Sequence, residues 1–162
     1  MEQDVFVAWE DRYSVGITAI DDQHKELLVL TNKLYEACRE GEDKARVYFK
    51  EVIHGAVEYV QFHFSSEEQL MERVGFPELP AHKVEHALFI KEVLDAVKNL
   101  ENGKTFVPNA FVRFLRDWVL THIAMSDFKY AEYIQGLRKQ GTLQSFINMQ
   151  ALTQKGFQGV AR

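Results

Sequence analysis

The pentapeptide His82-Lys83-Val84-Glu85-His86 sets two imidazoles four residues apart. On a helix that spacing stacks them one turn apart on a single face, where they could share a metal ion. A lone pair of this kind is more often two ordinary surface or core histidines. The string also fits the H-x-x-E-H pattern of one class of zinc proteases. Such an enzyme needs a further downstream ligand, and it leaves His24 and His63 without a role.

The remaining histidines and two carboxylates decide the matter through the elements that must carry them. Breaks are sparse: Gly41, the run Gly75 to Pro80, Gly103 to Pro108, and Gly136 to Gly141. Between them lie segments of helix length with apolar periodicity near 3.5 residues. The spacing predicts helices over Thr18 to Arg39, Asp43 to Val74 and Ala81 to Asn102, and a fourth opening near Pro108. The stripes read Ile20, His24, Leu27, Thr31, Leu34, Cys38 on the first and Phe49, Ile53, Ala56, Val60, His63, Glu67, Leu70, Val74 on the second. The third carries His82, His86, Phe89, Val93, Val97 and Leu100, and the fourth Phe111, Leu115, Trp118 and His122. Steps of four and three mark core positions of a bundle, yet histidines and a glutamate stand where leucine belongs. A buried, ionised glutamate with no partner is very costly, so something inside must compensate for Glu67. His54, by contrast, falls about 100° off the stripe and reads as a flank or surface residue. Glu51 and His54 form a single Glu-x-x-His pair, whereas ferritin-like di-iron sites use two.

Four helices with short connections run up, down, up, down. His24 near the start of the first, His63 and Glu67 late in the second, His82 and His86 opening the third, and His122 late in the fourth then fall at one end of the bundle, all facing inward. Asp127 follows His122 by five residues, a turn of about 140° that a regular helix cannot aim at the same core. The apolar stripe slips at the same place and resumes as Asp127, Tyr130, Ile134, Leu137. A one-residue insertion in the helical ladder, a π-bulge, would bring Asp127 inward.

The converging set is five imidazoles and two carboxylates: His24, His63, His82, His86, His122, Glu67 and Asp127. One zinc takes three or four protein ligands, so the set exceeds a single ion. Two ions fit if both carboxylates bridge, one further oxygen bridges, and the imidazoles divide three to two. One metal then has six ligands and the other five, with a vacant position. Nitrogen with bridging carboxylate suits iron, with zinc, copper and manganese left open by ligand type. The absence of Cys from the set excludes an iron–sulfur cluster.

Composition agrees with such a domain. At 162 residues, with 46% hydrophobic and 27% charged content, the chain reads as one globular, soluble unit. A formal net charge of -5 argues against nucleic-acid or anionic-membrane partners. The single cysteine, Cys38, cannot form an internal disulfide. With no signal-like segment and no apolar run of spanning length, the expectation is a cytoplasmic protein. Twelve Phe, six Tyr and two Trp predict an aromatic core.

The stretches DDQHKEL, HFSSEEQLM, GFPELPAHKVEH and DWVLTHIAMSD resemble the hemerythrin family in its single-domain bacterial form, and VAWEDRYSVGITAID resembles the arm that precedes its first helix. The resemblance covers about residues 5–136. It implies an all-α, up-down-up-down four-helix bundle with an N-terminal arm over residues 1–136, and residues 137–162 depart from it as a C-terminal extension. It implies two irons with a bridging oxo or hydroxo oxygen: His82, His86 and His122 on the coordinatively full iron, His24 and His63 on the open one, Glu67 and Asp127 across both. Glu85 is then a flank residue rather than a general base. The implied activity is reversible dioxygen binding at the open iron, for storage, delivery or sensing, without enzymatic turnover.

Leu28, Trp118 and Val119, one turn from His24 or His122, are expected to line the dioxygen pocket or simply to pack the core. The extension carries Leu143, Phe146, Ile147 and Leu152 at roughly helical spacing. It reads as an extra helix on the bundle, or else as a docking segment for a partner or a second copy. The competing function is a di-iron enzyme that reduces nitric oxide or peroxide, or a redox sensor acting through a partner; the same ligands serve all of these.

Overall fold

The computed structural model describes residues 5–141. Its long helices are α1 (Thr18–Arg39), α2 (Glu42–Val74), α3 (Leu79–Glu101) and α4 (Pro108–His122). After α4 the chain passes through a π-helical turn, Ile123–Asp127, and continues as α5 (Phe128–Lys139). The result is an up-down-up-down four-helix bundle in which α4, the π turn and α5 make one continuous fourth rod. A short arm with a 3₁₀ turn at Asp11–Tyr13 precedes α1. Among the described residues no helix is long and apolar enough to cross a membrane.

The expected boundaries agree with these to within two residues, because each stripe ends at a residue that stops a helix. Gly75 closes α2 at φ +67°, and the Phe76 N–H reaches back to the Met71 carbonyl at 2.9 Å. That left-handed cap strains any residue with a Cβ. Pro108 opens α4, where its missing N–H leaves no helical bond unmade.

One apolar cluster fills the end of the bundle where α1 stops and α2 starts, around Leu34, Phe49, Val97, Leu100, Phe106 and Phe111. A second fills the other end, around Ile20, Met71, Phe76, Tyr130 and Ile134. Each such side chain contributes about 1.5–3 kcal/mol on full burial. A polar layer between the clusters interrupts them. The arm closes one side of it: the Asn32 side chain accepts from Val7 N–H at 3.0 Å and donates to Val7 O at 2.7 Å, while Val7 and Tyr13 pack with Leu27, Leu28, Val119 and Ile123. Residues 137–139 belong to the last turn of α5, which Gln140 and Gly141 follow; residues 142–162, with the four spaced apolar residues, lie outside the described residues.

Candidate metal centre

All seven expected donors enter the polar layer, and none is more than 6% exposed. His24 comes from the second turn of α1. His63 and Glu67 come from consecutive turns of α2, and His82 and His86 from the first turns of α3. His122 ends α4, and the π turn that follows it carries Asp127 inward to 0% exposure. The wider π winding turns five residues through roughly one full rotation, where an α-helix would overshoot.

The donors fall into two groups. In the larger, Nε2 of His122 lies 3.0 Å from Nε2 of His86 and 3.2 Å from Nε2 of His82. Asp127 Oδ1 joins them, 3.1 Å from His122 and 3.4 Å from His82, and Glu67 Oε2 is 3.3 Å from His86. In the smaller, His24 Nε2 lies 3.2 Å from Asp127 Oδ2 and 3.5 Å from Glu67 Oε1, and His63 Nε2 lies 3.5 Å from Glu67 Oε2. Asp127 thus turns one oxygen to each group, and Glu67 contacts both.

The outer edges of the rings settle what the inner edges carry. His86 Nδ1 donates to Glu68 at 2.8 Å, His122 Nδ1 lies 3.0 Å from Glu85 Oε2, and His63 Nδ1 donates to Gln23 Oε1 at 2.9 Å. A carboxylate or carbonyl oxygen only accepts, so Nδ1 of His86 and of His63 holds the ring proton and their Nε2 atoms present a lone pair inward, and the carboxylate beside His122 Nδ1 favours the same tautomer there. Lone pairs of His86 and His122 facing each other at 3.0 Å repel unless a cation or a further proton lies between them. Adjacent ligands on an octahedron of about 2.1 Å radius stand about 3.0 Å apart, so the spacing is that of a shared ion.

Unmet polar demand points the same way. Among the described residues, His24 Nδ1 and Nε2, Glu67 Oε2 and both Asp127 carboxylate oxygens are buried with no hydrogen-bond partner; the approaches to His24 at 3.2 and 3.5 Å are close but not aligned as hydrogen bonds. Each such atom costs about 1–3 kcal/mol if left so. Burial pushes the Glu67 carboxyl up, but His63, His24, His82 and His86 outweigh it and hold it well below the usual carboxylate range. Burial likewise opposes ionisation of Asp127, which its His122 and His24 neighbours restore. Burial lowers His24, but Asp127 and Glu67 lift it to about 9, while burial drives His63 down to about 4. Nitrogen and carboxylate donors of this number fit non-haem iron or another first-row divalent ion. Cys38 lies away in the apolar core and takes no part.

Comparison with known proteins bears on which ion that is. Residues 15–134 match the family model described as the hemerythrin HHE cation binding domain. The chain belongs to the hemerythrin family. A bacteriohemerythrin of Stenotrophomonas maltophilia is 33% identical over 129 residues, 80% of this chain and 82% of that protein. One of Clostridium acetobutylicum is 32% identical over 127 residues, 76% of this chain and 98% of that protein. A crystal structure of wild-type hemerythrin matches at a TM-score of 0.72 and 30% identity, over 78% of this chain and 96% of that one. Membership of the hemerythrin family implies non-haem iron, which the donor set accommodates.

Several residues around this hemerythrin-family centre carry no sequence signature. Gln23 and Glu68 each sit beside a donor in the chain and would pass for surface residues. Phe64 stacks on His86, centroids 3.7 Å apart, and Tyr130 donates to Glu67 at 2.7 Å. Glu85, expected as a flank residue rather than a general base, reaches the centre from the exposed flank of α3. Its carboxylate meets His122 Nδ1 and accepts from Ser126 Oγ at 2.5 Å, because α4 and the π turn lie along that side of α3.

A cavity of about 10 Å³ adjoins the smaller group. Its lining includes His24, His63, Leu27, Trp118, Val119 and Ile123. A larger one, about 40 Å³ and wholly apolar but for Thr31, continues down the core past Leu27, Val60, Phe89 and Val119. Of the three expected wall residues, Trp118 and Val119 are there. Leu28 lines neither cavity; it packs towards Val7, Tyr13 and Tyr59, and Leu27 takes the wall position. The two leucines differ by about 100° around α1, enough to exchange one face for the other.

Proposed function

We propose that the seven side chains hold two irons and that the protein binds dioxygen reversibly, for oxygen storage, delivery or sensing. His82, His86 and His122 would hold one iron, His24 and His63 the other, with Glu67 and Asp127 spanning them beside a bridging oxo or hydroxo group. The observation that carries the reading is the pairing of the mutually facing Nε2 atoms of His86 and His122 with a small cavity that touches both His24 and His63 but, of the larger group, only His122 and Asp127. Iron held by these residues would supply the reversible redox chemistry that dioxygen binding needs.

The chain's own residues supply the rest. Three imidazoles against two leave the smaller group with room for a ligand, and the cavity opens there. Leu27, Val60, Phe89, Trp118, Val119 and Ile123 line it with apolar surface, which keeps water and protons from the bound gas. Tyr130 and the outer partners of the histidines hold the donors in place.

Repeated cycling tests this. Iron-loaded, reduced protein is mixed with dioxygen and then stripped under argon. Return of the colourless reduced state over several cycles supports the carrier. Irreversible oxidation in the first cycle, or steady consumption of nitric oxide or peroxide, would replace it with a di-iron enzyme.

A further inference from the structure

The two halves of the centre differ in what stands behind their imidazoles. Behind the larger group are two carboxylates: Glu68 on His86 Nδ1 at 2.8 Å and Glu85 on His122 Nδ1 at 3.0 Å. Glu85 is itself fixed by the Ser126 hydroxyl, and Lys83 lies 4.0 Å from Glu68. Behind the smaller group His63 has a neutral amide, Gln23, at 2.9 Å, which Ser66 holds only loosely at 3.4 Å. His24 Nδ1 is buried without an acceptor among the described residues. A carboxylate behind a ligating histidine fixes the ring and makes its inner nitrogen more basic. An N–H left unpaired in the interior does the opposite, since giving Nε2 to a metal places the ring proton on an Nδ1 with no acceptor.

We propose that the centre holds its two ions with unequal strength, the His82/His86/His122 position being the permanent one and the His24/His63 position the exchangeable one, and that Glu68 and Glu85 set the difference. This rests on the two-ion reading above. Two features act in the same direction: one more imidazole, and two backing carboxylates, on the His82/His86/His122 side. Partial depletion then yields a chain with one ion in the three-histidine position. A different first-row divalent ion supplied afterwards would enter beside it and form a mixed pair.

Chelator challenge of the full chain tests the idea. Protein loaded with two ferrous ions under argon is mixed with excess chelator, and ions per chain are counted by native mass spectrometry over time. Wild type should pass through a one-ion species, its two release rates about 10–100-fold apart. Glu68→Gln and Glu85→Gln, near-isosteric changes at partly exposed positions, should each speed the slow phase about 10-fold and leave the fast phase within about twofold. Gln23→Glu should slow the fast phase. Release of both ions in one phase, or a slow phase unmoved by both glutamate changes, overturns the inference while the two-ion reading stands. A chain that loads only one ion before chelator is added overturns both.

Discussion

The Tyr130 hydroxyl donates to Glu67 Oε1 at 2.7 Å, and both side chains are completely buried. This bond joins α5, beyond the π turn, to α2. Burial holds the Tyr130 phenol well above its ordinary pKa, so it remains a donor. Tyr130→Phe keeps the ring's packing and removes the donor. The metal-free variant should lose about 1–3 kcal/mol in denaturant unfolding, and the loaded variant should bind metal about 10–100-fold more weakly in chelator competition. Unchanged values in both assays would show that Glu67 does not depend on the bond.

The π turn should tolerate loss of a residue and not gain of one. Deleting exposed Ala124 leaves His122 and the aspartate four apart on a regular helix, still on one face. Two ions per chain and a normal melting temperature are expected. Adding one alanine after Ala124 rotates Asp127, Tyr130 and Ile134 together by about 100°, and metal content and melting temperature should both fall. Equal behaviour of the two variants would contradict this account of how Asp127 is aimed.

Trp118 stacks on His122 at 4.4 Å and on Phe89 at 3.9 Å, and it lines the small cavity. Trp118→Ala should cost about 3 kcal/mol, retain iron, and admit water to the cavity. Its oxygenated form should autoxidise faster, followed as decay of the visible absorption. Equal half-lives in variant and wild type would remove Trp118 from the wall's function.

In the metal-free chain, His24 and His63 titrate in opposite directions. His24, lifted from 6.5 to about 9, contributes stability that is complete below about 6.5 and lost as pH rises through about 9. His63, lowered to about 4, stays neutral in the fold while the unfolded chain takes a proton below about 6.5, so acidification from 6.5 to 4 costs stability. The lowered carboxyls of Glu67 and Asp127 deepen that acid loss. The metal-free melting temperature should therefore peak near pH 6.5 and decline towards 9. In the loaded chain both rings ligate unprotonated, so the alkaline decline should vanish. A metal-free melting temperature that climbs from pH 6.5 to 9 would contradict the assignment of charge to His24.

Much of this was legible in the chain because the helices are regular and their core stripes sharp. Histidines at stripe positions break an otherwise apolar pattern, and the slip between His122 and Asp127 marks the π turn in the sequence itself. What escaped depends on contacts between helices. Glu85 lies off the His82 face of its own helix, and only the neighbouring α4 and π turn make it a partner of His122. Gln23 and Glu68 sit one residue from a donor, about 100° around the helix, where solvent is the ordinary expectation. Leu27 and Leu28 are both buried, and no periodicity says which of them faces a cavity. The spaced apolar residues beyond Gly141 lie outside the described residues.

The most direct test is metal analysis of the purified chain alongside its absorption spectrum in air. Two irons per chain, near-ultraviolet bands of an oxo-bridged pair, and a visible band that disappears when dioxygen is removed and returns when it is restored are expected. One ion per chain, or two ions with no change on removing dioxygen, would contradict reversible dioxygen binding at two irons.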